Sequence, residues 1–251
     1  MAGGESEGLR ERIGAAIGRW WAPYVAAISR ARQGRMFHPE GHTYEGWVEP
    51  ILDNPLAPLG RELTGRVLVR LSAALWRGDF EYFDVLGMAM RFRRGPSPVF
   101  DHVAHPGDTD LLTATIRSPL TMLASPFFTN ASDFTTNRYW AVSPFEHSVG
   151  RIEIRLVPDH PVHLQGNRVT KLARAVEMGR AAWWLEARRT LTLRWHHVAR
   201  VQLENPVDLD QEALRFDPFR GVLKPVGLVH AIRRATYTAS QNARPESEDA
   251  L

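Results

Sequence analysis

The chain has 251 residues, 44% of them hydrophobic and 24% charged, with a formal net charge of +3. That suits one sizeable domain whose core folds without covalent staples. It contains no cysteine, which excludes disulfides, thiolate metal sites and a cysteine nucleophile.

The opening residues, MAGGESEGLRER, precede no long apolar run. The expectation is a cytoplasmic protein without signal peptide or membrane span. Residues 8–32 read as an amphipathic helix, because Ile13, Ile17, Trp20, Tyr24 and Ile28 recur at helical spacing. From about residue 43 the texture changes to short runs of β-branched and aromatic residues. TYEGWVEPI, RVLVRLSAAL, FDVLGMAMRF and DLLTATI read as strands, followed after an interval by GRIEIRLVP, AAWWLEARRTLTLRW and HHVARVQLEN. Turn formers between them predict an antiparallel sheet or closed barrel. Residues 117–149, with prolines, aromatics and Thr/Ser/Asn clusters, predict a long covering excursion. A helix is expected near 169–180. A polar, proline-containing segment, 204–227, leads into a last helix over about 226–243, and the acidic tail after Pro245 is expected to be disordered.

Only Lys171 and Lys224 are lysines, so nearly every basic residue is arginine. These arginines are scattered among acids rather than gathered in a stripe, which gives a nucleic-acid partner no support.

Three stretches could carry chemistry. In the last helix Arg233, Tyr237 and Arg244 stand at i, i+4 and i+11, which stacks them on one face. A guanidinium one turn away can hold a tyrosine as phenolate, able to bind ferric iron, and the second arginine can meet an anionic group of a cofactor. On the helix alone, a packed tyrosine with solvated arginines is the simpler reading. The second stretch, residues 34–48, offers His38, Glu40, His42 and Glu45. A histidine here can act as general acid and base. Metal binding has little support, because H-x-E-x-H lacks the four-residue helical spacing of two imidazole ligands. For His42 a polar loop position is expected. The third stretch is RVLVRLS, where period two places Arg70 and Ser72 on one strand face, opposite Val69 and Leu71. A buried Arg70 would need a counter-anion; an exposed strand face would not. His102, His105, His147, His160 and His163 read as surface histidines. His196 and His197 read as packing or turn residues beside a strand start.

Together these pieces resemble the haem-dependent catalase superfamily. The residues that carry the resemblance are Arg35, His38 and Gly41 in R-x-x-H-x-x-G, then Val69, Arg70 and Ser72, then Asp84 and Gly87, and finally Arg233, Tyr237 and Arg244. The segment LRFDPFRGVLKPVGLVHAIRRATYTASQNAR looks like the end of short, single-domain bacterial members. The likeness runs from about residue 35 to 244, with 95–200 matching in texture only.

The resemblance implies an α+β fold: an antiparallel eight-stranded β-barrel with flanking N- and C-terminal helices. Its divisions would be a helix at 1–34, a haem-binding domain at 35–244 and a tail at 245–251. It implies haem b, with Tyr237 as iron ligand, Arg233 keeping it deprotonated, His38 as distal acid and base, and Ser72 orienting that ring. Arg35, Arg70 and Arg244 would neutralise the propionates. The substrate would be hydrogen peroxide or an organic hydroperoxide, with a homodimer among the admissible assemblies.

The chain also departs from the family. Where the distal asparagine should stand, DLLTATIRSP offers Ala114 or Thr115, and Phe83 and Leu86 replace two usual arginines. The expectation is therefore peroxidase-like turnover with weak catalase activity, with Phe127, Phe128, Trp140 and Phe145 shaping a pocket for a larger substrate. The alternatives are a non-catalytic haem-binding or haem-sensing protein, and a haem-free barrel that binds another small molecule.

Overall fold

The computed structural model describes residues 41–74, 80–95, 100–118, 121, 124–141 and 143–226. The helix expected at 8–32, the last helix beyond Val226 and the acidic tail lie outside these residues. Ten strands and three helices stand among the described residues. The strands are β1 (Gly41–Pro50), β2 (Gly65–Ala73), β3 (Leu86–Arg93), β4 (Thr109–Ala114), β5 (Tyr139–Trp140), β6 (Phe145–His147), β7 (Gly150–Pro158), β8 (Ala182–Arg189), β9 (His196–Pro206) and β10 (Lys224–Pro225). The helices are α1 (Ala57–Glu62), α2 (Ser125–Phe128) and α3 (Arg168–Glu177).

Eight strands close into an antiparallel barrel in the order β7-β5-β4-β3-β2-β1-β9-β8, with β8 returning to β7. β6 pairs with the start of β7, and β10 with β6, outside the ring. Alternate residues point inward: Val67, Val69 and Leu71 from β2, Met88, Met90 and Phe92 from β3, Ile152, Ile154 and Leu156 from β7, Trp183 and Leu185 from β8. These belong to one continuous buried cluster. Eight strands enclose a space that side chains just fill, and each fully buried large apolar side chain contributes about 1.5–3 kcal/mol.

α1 packs against β1 and β9, and α3 against β9. α1 begins with Pro58 in its first turn, where a missing N–H costs nothing, and Gly60 lies against β9. A Cβ there would come within 2.1 Å of the Val198 carbonyl oxygen. α3 starts at Asn167, whose Oδ1 accepts from the Thr170 amide at 2.9 Å. It buries Leu172, Ala175 and Val176 at i, i+3 and i+4. It ends at Gly179, whose φ of 63° lets the chain turn back in the left-handed conformation.

Two expectations need correction. β8 stops at Arg189 instead of running to Trp195, because the chain turns there. Leu191 has φ 70°, Leu191 and Leu193 are 97% and 92% exposed, and the Thr192 amide closes back on the Arg189 carbonyl at 3.0 Å. Nor is 117–149 only a covering excursion. It supplies β5, the strand that joins β4 to β7 and completes the barrel.

A buried charge network fastens the segment 207–222 to the outside of β3 and β4. Asp110, fully buried, accepts from Arg91 Nε and Nη2 at 2.9 and 3.2 Å, from the Asp217 amide at 2.9 Å and from Arg220 Nη1 at 2.5 Å. Arg91 also donates to the Arg215 carbonyl. Beside it Asp108 takes a two-pronged bond from Arg93 at 2.9 and 2.7 Å, plus the His105 amide at 2.8 Å. Burial pushes the Asp108 carboxyl up, but the Arg93 bond, the His105 amide and the Arg93 and Arg91 charges outweigh it. The net effect holds this carboxyl below the ordinary carboxylate value.

Two stability predictions follow from this packing. Gly60→Ala, a change that usually favours a helix by about 1 kcal/mol, is expected to destabilise by about 1–3 kcal/mol, because the methyl meets backbone rather than a movable side chain; urea unfolding measures it. Asp108, with its folded-state pKa depressed, contributes stability that is complete above the unfolded value of about 3.9 and is lost as pH falls through the folded value. Asp108→Asn should cost about 3–5 kcal/mol at neutral pH by leaving Arg93 buried without its carboxylate. It should also flatten the acid limb of a stability–pH curve. An unchanged acid limb would exclude this role.

Candidate functional site

The outward face of β1–β4 is laid out in rows by strand register. The uppermost row runs Gly41, Ser72, Gly87, Ala114 and Trp140, and continues to Arg155 and Glu186. Its first four members are the smallest side chains available, so on four neighbouring strands the wall is nearly bare backbone. A glycine inside a strand marks a place where another group approaches closely. The next row is Thr43, Arg70, Ala89 and Leu112. The third holds Glu45, Leu68, Arg91 and Asp110. Segment 207–222 covers these lower rows: Leu209, Leu214 and Phe216 pack with Leu68, Ala89 and Leu112.

Arg70 and Ser72 do share a face, opposite Val69 and Leu71. It is not an exposed one, since Arg70 is 3% and Ser72 4% exposed. Arg70 Nε donates to Gln211 Oε1 at 2.8 Å, and Gln211 Nε2 in turn donates to Thr43 Oγ1 at 2.6 Å. The guanidinium reaches up over Gly41: a Cβ on Gly41 would lie 2.3 Å from Arg70 Cζ. Glycine at 41 thus leaves the space that brings a cation to the edge of the bare row. Gln211 was not among the sequence candidates. Nothing in its polar segment distinguishes it until the fold brings it to β2.

The other site candidates fall as follows. Arg35, His38, Arg233, Tyr237 and Arg244 lie outside the described residues. Ala114 stands in the bare row, whereas Thr115 turns away from it. The Thr115 hydroxyl accepts from the Leu86 amide at 3.1 Å and from Thr129 Oγ1 at 2.7 Å. Asp84, fully buried, caps the end of β2 by accepting from the Ala74 and Val85 amides at 3.1 and 2.7 Å. Leu86 belongs to the core and Phe83 meets Phe127 edge-on at 4.9 Å.

His42 is a strand residue rather than a loop residue. It occupies the inward face of β1, its ring edge-on to Phe134 at 6.2 Å. Glu45 faces outward and pairs with Arg66 at 2.9 Å, so His42 and Glu45 cannot serve one metal. Among the described residues, no group of three His, Asp or Glu side chains could hold a metal ion. His147 is not a surface residue: its side chain is 2% exposed and pairs with Glu62 at 3.3 Å. His105 and His160 are exposed, as expected.

Of the four aromatics expected to shape a pocket, Phe145 is core. Phe128 and Trp140 line a cleft of about 600 Å³ beside the Ala114 end of the row. Phe127 lies outside that lining, 75% exposed. Arg117 and Arg138 also line the cleft. No sequence signal singles them out in a chain so rich in arginine.

No protein-family model matches the chain, and no curated protein does. Among solved structures it is similar to a bacterial catalase, with a TM-score of 0.56 and 13% identity over 86% of this chain and 59% of the catalase. The fold is catalase-like. The chain therefore spans about three-fifths of that catalase's length. A fungal catalase solved at 1.9 Å aligns with a TM-score of 0.49 and 14% identity, over 91% of this chain and 66% of that one.

The described part of the wall offers small side chains on four strands and a buried guanidinium at their edge. The bonds of Thr115 make it a structural residue. Thr115→Val should lower stability by about 1–3 kcal/mol, because the buried Leu86 amide loses its side-chain acceptor. Thermal unfolding of the variant checks this; unchanged stability would free Thr115 for a role in binding.

Proposed function

We propose that this chain is a haem b protein that reacts with hydrogen peroxide or organic hydroperoxides, as a peroxidase-like enzyme with weak catalase activity. What supports the reading is the row Gly41, Ser72, Gly87 and Ala114 with Arg70 held above Gly41, on the outer wall of a catalase-like barrel. The motif order in the sequence supports it independently.

Bound haem would supply the iron at which a peroxide O–O bond is split. His38 would take the proton from the bound peroxide oxygen and return it to the departing one. Ser72 would hold that imidazole in place through a hydrogen bond. Tyr237 would be the iron ligand, kept anionic by Arg233. Arg35, Arg70 and Arg244 would meet the propionates, where planar guanidinium groups match carboxylates in shape as well as charge.

A second reading, a haem-binding or haem-sensing protein without turnover, is favoured by one observation. Ala114 offers no amide in the bare row, and the Thr115 hydroxyl is already engaged. Two variants separate these readings. Full-length protein supplied with haem should show a Soret band that is lost in Tyr237→Phe; no band in either protein would remove haem altogether and leave a small-molecule barrel. Ferric protein with an alkyl hydroperoxide should oxidise a dye, and His38→Ala should slow this about 100-fold or more. Equal rates would end the acid–base role, and no rate with an intact Soret band would select the sensor.

A further inference from the structure

The cleft beside the bare row has a chemistry of its own. Its lining carries two guanidinium groups, Arg117 and Arg138, and no carboxylate. Both arginines are exposed, and neither has a hydrogen bond or ion pair among the described residues. Their neighbours differ. In the adjoining hollow of about 310 Å³, which shares Arg117 and Trp140 with the cleft, Arg155 is bound to Glu186 at 2.6 Å and Arg188 to Glu153 at 2.6 Å. Both guanidinium groups of that pair stack on Trp195, with 4.1 and 4.6 Å to the ring centre. In the hollow Arg155 and Arg188 are thus matched with acid, whereas among the described residues Arg117 and Arg138 are not.

The loop bearing Arg138 is preorganised. Asn137 Nδ2 donates to the Asn130 carbonyl at 2.8 Å, its Oδ1 accepts from the Asn130 amide at 2.9 Å, and the buried Tyr139 hydroxyl donates to the Phe134 carbonyl at 2.7 Å. Arg138 therefore projects from a fixed base. Besides the charge, the cleft offers aromatic surface from Trp140 and from Phe128, which is 85% exposed.

We infer that this cleft binds a small carboxylate with an apolar, planar body, its anion between Arg117 and Arg138 and its body against Trp140 and Phe128. Guanidinium groups match a carboxylate through paired N–H donors, and a site with few polar groups and aromatic walls is the usual form of a small-molecule pocket. The inference does not depend on haem, since binding is read on the full-length protein with or without it.

The test is calorimetric titration of the full-length protein with cinnamate, with cinnamyl alcohol as its uncharged counterpart and inorganic phosphate as a bare anion. Cinnamate should bind with a Kd below about 1 mM, the alcohol about tenfold more weakly or not at all, and phosphate should not compete. The double variant Arg117→Gln/Arg138→Gln should weaken cinnamate binding about tenfold or more with an unchanged unfolding temperature, because both side chains are exposed. Phe128→Ser should weaken it without altering the preference for charge. No cinnamate binding, equal binding of the alcohol, full competition by phosphate, or indifference to the double substitution would each overturn the proposal.

Discussion

The structure depends on one constraint: the barrel interior is filled by side chains, so a ligand held by its described strands must sit on their outer face. The inward rows of β2, β3, β7 and β8 merge into one buried cluster. The same alternation that fills the inside sets the order of residues outside, since a strand that sends Val69 and Leu71 inward must send Arg70 and Ser72 outward. The two outer rows next below that of Ser72 on β1–β4 are then covered by segment 207–222. What holds it down is Asp110, which gathers Arg91, Arg220 and the Asp217 amide around one carboxylate. Such a buried cluster adds little net stability, but a chain placed otherwise would leave charges buried and unmatched. Its effect is to fix where the covering segment lies.

The upper row lies beyond that segment, with Ser72 and Gly87 buried and Gly41 and Ala114 half-buried. Gln211, carried in by the covering segment, positions Arg70, and Gly41 leaves the guanidinium room to reach the row above. The small row and its cation therefore come from four separate strands, with Gln211 added from the covering segment. The cleft with Arg117 and Arg138 opens at the far end of the same row, where Ala114 pairs with Trp140. Two surfaces of different chemistry, one of small side chains and one aromatic with two arginines unpaired among the described residues, thus lie end to end on one wall.

Much of this was legible in the sequence because strands of eight or more residues show their period. β1, β2, β3, β7 and β9 fall where β-branched and apolar residues alternate, and α3 where Leu172, Ala175 and Val176 recur. β5 was not legible, because two residues cannot show a period; it exists only because β4 and β7 need a strand between them. Both faces of β2 are buried, so its alternation could not say whether Arg70 meets solvent, and the covering segment that carries Gln211 decided it. His42 was misplaced because Gly41 suggests a loop, whereas here the glycine begins the strand. The free arginines of the cleft were invisible, since pairing, not residue type, distinguishes them from Arg155 and Arg188. The family resemblance foresaw the barrel, and its proposed ligand set rests on positions 35, 38, 233, 237 and 244.

The most direct test of the central claim, that the bare outer row is a cofactor surface, is a crystal structure of the full-length protein grown with haem. The account predicts a porphyrin in contact with Gly41, Ser72, Gly87 and Ala114, with a propionate within hydrogen-bond distance of Arg70. A porphyrin bound elsewhere, or the same four residues covered by the chain's own side chains in the haem-loaded protein, would contradict it.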